Sequence, residues 1–164
     1  MELEEEVGRL LKAQGLTLAV AESCTGGLIG HRITGISGSS EYFRGGVVAY
    51  ANDLKRDLLG VSEGMLRENG AVSEAVAAAM AAGVRQGCGA DVGLGITGIA
   101  GPGGATPGKP VGLVYIGISG GTRSTVRRWQ FQGDRAQVKR SGSQAAIEML
   151  REFLSERREG EKHG

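Results

Sequence analysis

Ser23 sits in the segment Ala21-Glu22-Ser23-Cys24-Thr25-Gly26-Gly27, directly after the apolar run from Leu16 to Val20. Small residues and hydroxyls at a strand-to-helix turn let a ligand approach the backbone, and the amides of a helix start favour anionic groups. A second segment, Ile96-Thr97-Gly98-Ile99-Ala100-Gly101-Pro102-Gly103-Gly104, repeats that chemistry. Two such turns in one small chain point to a site for a phosphorylated small molecule.

Ser23 has two readings. One is a helix N-cap. The other is a nucleophile, which needs a base. The imidazoles are His31 and His163. His163 falls in the C-terminal tail, and His31 falls on the helix after Ser23, two turns away, so a Ser-His pairing is poorly supported. A Ser-Lys arrangement remains, because a partly buried lysine can lower its pKa enough to accept a proton. Lys55 is the best placed, after Tyr50-Ala51-Asn52-Asp53-Leu54 where a strand hands over to a helix. Its position alone is equally that of a surface helix lysine. Lys12, Lys139 and Lys162 read as solvated. Glu22 can partner a lysine or a backbone amide. Thr97, at a strand end before Gly98, can reach a ligand or close a turn. Cys24 is the rival nucleophile. Cysteine is among the most often buried residue types, so Cys24 and Cys88 read as packing residues.

These residues need elements to hold them. Leu3, Val7, Leu10 and Leu11 recur at helical spacing over residues 2–13, with Gly15 as the stop. Leu16 to Ala21 reads as a buried strand, Thr25 to Ile36 as a short helix, and Tyr42 to Tyr50 as a second strand. Asn52 is the expected cap of a helix through Leu59, and Ser62 and Ser73 are two further caps. Glu74 to Gln86 is Ala-rich and helical. Asp91 to Thr97, Val111 to Ser119 and Arg123 to Phe131 read as strands. Asp134 and Gln137 form a capping-box-like start to the last helix, which buries Val138, Ala145, Met149 and Phe153. Strands and helices alternate without a composition break. The pattern predicts one α/β domain over residues 1–158 and a flexible tail over 159–164.

The chain has 164 residues, 40% of them hydrophobic, enough for one domain with a real core and too few for a membrane span. Its net charge of +1 gives no general argument for nucleic acid or bilayers, and 4% aromatics leave few rings for stacking bases. Glycine contributes 30 residues, which suits elements that pack closely. The two cysteines lack a CxxC partner or nearby histidine spacing, so no metal site is expected. The acidic opening Met1-Glu2-Leu3-Glu4-Glu5-Glu6 is unlike a signal peptide, so the cytoplasm is the expected compartment.

Two motifs mislead. Gly93-x-Gly95-x-x-Gly98 has the spacing of a dinucleotide fingerprint, but no Asp or Glu follows until Asp134 and the next segment is not helical. Gly103-x-x-x-x-Gly108-Lys109 resembles a phosphate loop, but Pro110 stands where a hydroxyl is needed and a strand follows.

Together the residues resemble the C-terminal domain of the competence/damage-inducible CinA family. The resemblance rests on residues 21–27, Gly-Gly-Val-Val-Ala-Tyr at 45–50, Gly-Ala-Val-Ser at 70–73, residues 97–104, and Gly-Lys-Pro-Val-Gly at 108–112. It implies a three-layer α/β/α sandwich with a mixed, mostly parallel sheet. It also implies hydrolysis of the carboxamide of nicotinamide mononucleotide to nicotinic acid mononucleotide and ammonia, with no metal or cofactor. By the same resemblance Ser23 is the nucleophile, Lys55 its base, and Tyr50 and Thr97 line the site. Glu22, Thr25, Gly26, Gly98 and one of Arg135 and Arg140 are expected to bind substrate, Arg135 preferred. The expected partners are that small molecule and a second copy in a homo-oligomer, as a dimer, with no nucleic acid and no membrane. The alternative is a non-catalytic module that binds or senses nucleotides, which needs the Gly turns but no Ser-Lys pair.

Overall fold

In the computed structural model the described residues are 1–163, with side chains described as far as Arg157. The tail expected over 159–164 lies outside the fully described residues. The elements run α1 (Leu3–Gln14), β1 (Leu18–Glu22), α2 (Leu28–Thr34), a 3-10 turn (Ser39–Glu41), β2 (Phe43–Val48), α3 (Asn52–Leu59), α4 (Glu63–Asn69), α5 (Glu74–Gly87), β3 (Val92–Gly98), β4 (Leu113–Gly120), β5 (Arg123–Gln130) and α6 (Arg135–His163).

The sheet order is β2-β1-β3-β4-β5. β1 pairs in parallel with β2 and with β3, then β4 runs antiparallel to β3, and β5 antiparallel to β4. Only β4 therefore opposes the common direction. The layers follow from alternation along the strands. On one face Leu18, Val20, Val92, Leu94 and Ile96 pack with Val7, Leu11, Ile29, Val138 and Ile147 of α1, α2 and α6. On the other, Ala19 and Ala21 pack with Leu59, Val76, Met80 and Val84 of α3 and α5. The arrangement is the three-layer α/β/α sandwich with a mixed sheet.

The glycines of the false fingerprint have a packing role. A Cβ on Gly93 would lie 2.1 Å from the Ala81 carbonyl oxygen, and one on Gly95 2.7 Å from the Ala81 nitrogen. Gly117 on β4 meets the Ala77 carbonyl in the same way. These positions let the Ala-rich α5 lie directly on the strands, so Gly93 and Gly95 record helix-on-sheet contact, while Gly98 meets Leu113 and Val114 of β4. In the second misleading motif, the Lys109 ammonium donates to the Asn69 carbonyl and ties the 103–110 loop to the end of α4.

Boundaries differ where turn geometry overrides propensity. The helix expected from Thr25 begins only at Leu28, because Gly26 and Gly27 take positive φ and fold residues 24–27 into a turn. Asn52 is the first residue of α3 and does not cap it; Ala51 holds the N-cap position with no side-chain bond. The other caps form as expected. Ser62 accepts from the Met65 amide and Ser73 from the Val76 amide. The Asp134 carboxylate accepts from the Gln137 amide while the Gln137 side chain accepts from the Asp134 amide.

Candidate active site

The three parallel strands end side by side, and their C-terminal ends carry the chemistry, as open α/β sheets commonly arrange it. Register sets this out. Glu22, the last residue of β1, lies opposite both Val48 of β2 and Ile96 of β3. The next residue on each side is then Ser23, Ala49 and Thr97. The Ser23 amide donates to the Ile96 carbonyl at 3.2 Å, and the Ala49 amide to the Glu22 carbonyl at 2.9 Å. Ser23 is thus fixed by its backbone one step beyond the sheet.

The side chain of Ser23 does not cap α2. That task falls to Glu22, whose carboxylate is buried and accepts from the Thr25 hydroxyl at 2.6 Å, the Ile29 amide at 2.9 Å and the Gly30 amide at 3.0 Å. A carboxylate at the start of a helix meets both the free amides and the dipole. The Ser23 hydroxyl makes no hydrogen bond among the described residues, although the residue is buried.

α3 carries Lys55 into the same space. The helix buries only Lys55 and Leu59, one turn apart, while its other faces meet solvent. Lys55 is 1% exposed, and its Nζ donates to the Tyr50 carbonyl at 3.1 Å. Burial disfavours the ammonium and pulls the lysine below its ordinary value, partly opposed by the field of Cys24. A lysine that sheds its proton readily, with one N–H held by a carbonyl, keeps a lone pair for accepting a proton.

Ser23, Cys24, Tyr50, Lys55, Thr97, Gly98 and Arg135 line one cavity of about 330 Å³. That volume lies in the range of roughly 300–1,000 Å³ usual for small-molecule sites. The loop Ile99 to Gly104 forms its other wall. Arg135, at the start of α6, donates to the Gly101 carbonyl at 2.7 Å and to the Tyr50 hydroxyl at 2.8 Å. It therefore links that loop to the residue that ends the β2 side. The Thr97 hydroxyl donates to the Ala71 carbonyl at 2.8 Å, which commits its proton and leaves the oxygen to act as an acceptor.

The expected residues divide. Ser23, Lys55, Tyr50, Thr97, Gly98 and Arg135 meet in the cavity. Glu22, Thr25, Gly26 and Arg140, expected to bind substrate, do not line it. Glu22 and Thr25 face inward and bond each other. Gly26 turns the chain at positive φ, and its amide is used by the Ser23 carbonyl. Arg140 lies in a separate groove with Leu28, Arg32 and Ser143. Asn52, read in the sequence as a cap, lines the cavity together with Ala71 and Val72. Their signal was present only as the Gly-Ala-Val-Ser run and the Asn before the lysine, neither of which carries chemistry by itself.

Cys24 also touches the cavity, but burial, followed by the Glu22 charge, pushes its thiol up to about 12, against smaller opposing effects from its own backbone amide, Lys55 and Lys139. The thiolate is the nucleophile, so this sulfur is inert at ordinary pH. His31 is exposed on α2, outside the cavity lining. Among the described residues no three His, Cys, Asp or Glu side chains converge as a metal site. No described helix is long and apolar enough to cross a membrane.

The family model described as the CinA C-terminal domain matches residues 1–154. A putative competence-damage inducible protein of Moorella thermoacetica is 56% identical over 148 residues, 90% of this chain and 36% of that protein. A CinA-like protein of Salinibacter ruber is 54% identical over 153 residues, 93% of this chain and 37% of that protein. The chain thus spans 36–37% of the length of these curated relatives. The crystal structure of the competence damage-inducible protein A from Klebsiella pneumoniae superposes with a TM-score of 0.91 at 33% identity, covering 93% of this chain and 95% of that one. That of the competence/damage inducible protein CihA from Agrobacterium tumefaciens gives 0.88 at 38% identity, with 93% and 95% covered.

Proposed function

The chain belongs to the CinA C-terminal domain family, and from that premise and the site geometry we propose that it hydrolyses the carboxamide of nicotinamide mononucleotide. The products are nicotinic acid mononucleotide and ammonia, and the reaction proceeds by acyl transfer through Ser23 with Lys55 as base. One observation carries the reading: a fully buried lysine, held below its ordinary pKa, shares a cavity with an unbonded serine hydroxyl at the ends of the parallel strands.

In the first half-reaction the neutral Lys55 amine takes the Ser23 proton, and Ser23 Oγ bonds to the carboxamide carbon. The carbonyl oxygen takes the negative charge, which donors already fixed in the turn stabilise. Collapse of this intermediate breaks the C–N bond, and the Lys55 ammonium returns its proton to the departing nitrogen, which leaves as ammonia. In the second half-reaction a water gives its proton to Lys55 and attacks the acyl-serine. The acid is released, and Ser23 Oγ takes the proton back. The Tyr50 carbonyl holds one Lys55 N–H throughout and keeps the amine directed. Arg135 offers a guanidinium for the 5′-phosphate, a role suited to its planar donors.

The test is ammonia release with nicotinamide mononucleotide, nicotinamide and NAD as separate substrates. The reading expects turnover of the mononucleotide and little with free nicotinamide. Binding of the mononucleotide without ammonia release would favour a non-catalytic nucleotide-sensing module instead.

A further inference from the structure

The lysine of the misleading phosphate-loop motif has a structural task beside the cavity. Pro107 and Gly108 occupy the second and third places of a turn between Thr106 and Lys109, whose amides donate to each other's carbonyls at 3.0 and 2.9 Å. Gly108 takes a φ of 79°, which a turn with Pro and Gly in those places requires. The turn fixes the Lys109 backbone, and the side chain crosses to donate from Nζ to the carbonyl of Asn69, the last residue of α4. A helix C-terminus leaves its last carbonyls open, and a lysine there can satisfy one. Gly70 leaves room for the crossing, since a Cβ on it would lie 2.8 Å from Nζ.

Lys109 thereby ties together two walls of the candidate active site. Gly101, Gly103 and Gly104 line it from the loop between β3 and β4, and Ala71 and Val72 line it from the connection between α4 and α5. Residues 102–108 are all exposed. Asn69, Val72 and Lys109 also border a second hollow of about 540 Å³, so little packing holds the loop to that connection. At its base the loop is clipped by Arg135 at Gly101 and by Gln130 at Val111. Between those clips, among the described residues, the bond to Asn69 is the loop's one hydrogen bond to anything but its own turn and the start of β4. The connection receives a second tie from Thr97 at Ala71.

We infer that Lys109 is a positioning residue for substrate binding: its latch onto Asn69 sets the gap between the 101–104 wall and the 71–72 wall, and so the share of molecules closed enough to grip a nucleotide. Lys109 itself does not line the cavity. Ser23 is held through its amide by the Ile96 carbonyl and Lys55 through its Nζ by the Tyr50 carbonyl, bonds in which the latch has no part. Loss of the latch therefore weakens binding in proportion to the fraction of molecules left closed, and spares the chemical step. The inference deepens the hydrolase reading by naming what shapes its substrate pocket, and rests on that reading for the choice of nucleotide, yet its first test needs no turnover.

That test is amide hydrogen exchange in the whole chain, comparing the wild type with Lys109→Met and Lys109→Arg. Lys109→Met keeps the side chain's length and removes its donor. The bonded amides of Thr106 and Lys109 on the loop and of Gly70 at the end of α4 should all exchange faster in it, roughly tenfold for the loss of a bond to a charged donor. The bonded amides of Ser23 and Ala49 at the strand ends should not change. Lys109→Arg, which still donates, should restore the slow exchange. Wild-type exchange in Lys109→Met, or a change confined to the loop, overturns the inference. The second test is binding and turnover of nicotinamide mononucleotide. Lys109→Met should raise Kd and KM about tenfold with kcat within about twofold of the wild type, and Lys109→Arg should recover both. An unchanged Kd, or a fall in kcat with KM unchanged, overturns the inference. A wild type that releases no ammonia sinks the hydrolase reading alone, with exchange, and Kd where the mononucleotide binds, still deciding the latch.

Discussion

Lys55 Nζ donates to the carbonyl oxygen of Tyr50 at 3.1 Å, so the amine is anchored by the backbone of the residue whose side chain borders the same cavity. The contact satisfies one N–H without supplying a negative charge, and burial then favours the neutral amine.

This relationship predicts a pH profile. Turnover should rise with pH through a single apparent value below the roughly 10.4 of a free lysine, because the neutral amine is the working form. A profile flat from about pH 6 to pH 10 would contradict it.

Stability should move in a linked way. The folded chain disfavours the Lys55 ammonium, so between the folded and unfolded pKa values the unfolded chain binds more protons. Stability therefore rises with pH across that window, and the gain is lost as pH falls through the folded value. Lys55→Met removes the buried amine and should raise Tm at neutral pH while abolishing turnover, with about 2–4 °C expected for each kcal/mol in a chain of this size. Calorimetry of the two proteins at neutral pH decides this, and a lowered Tm for Lys55→Met counts against it.

Glu22 acts by capping. Glu22→Ala strands the Ile29 and Gly30 amides and the Thr25 hydroxyl, and should cost about 2–4 kcal/mol in urea unfolding. The cost should be several times that of changing an exposed acid such as Glu68. Equal costs would mean that the carboxylate does not hold the turn.

Cys24→Ala should retain most turnover and lose about 1 kcal/mol to a small cavity. The thiol, held near 12, should also resist iodoacetamide at pH 8 in the folded protein. Loss of activity as deep as that of Ser23→Ala, with the fold intact, would transfer the nucleophile to sulfur.

Much of this was legible in the sequence, and the misses share a cause. Periodicity located the core faces of α1 and α6, and the caps at Ser62, Ser73 and Asp134 were chemically explicit. Ser23, Lys55 and Thr97 could be named because each follows or ends a strand. What could not be read was which neighbour of Ser23 caps α2. Glu22 and Thr25 look like site residues beside Ser23, yet Glu22 ends β1, where successive side chains alternate in direction, and Thr25 lies in the turn that follows; both turn into the core and bond each other. The choice between Arg135 and Arg140 depends on the rotation of α6 about its axis, which capping at Asp134 sets. The burial of Lys55 depends on Leu59 one turn on, a pairing with two polar-looking neighbours between them. The exposed stripe at Leu54 and Leu58 reads in sequence as ordinary core spacing; only the fold shows it facing outward.

The most direct test of the central claim is a double-mutant cycle on ammonia release with Ser23→Ala, Lys55→Ala and both together. If the serine and the lysine act as one unit, all three variants fall to a similar residual rate, since coupled catalytic groups are not additive. Losses that multiply in the double mutant, with circular dichroism unchanged, would show two independent roles and would contradict the pair.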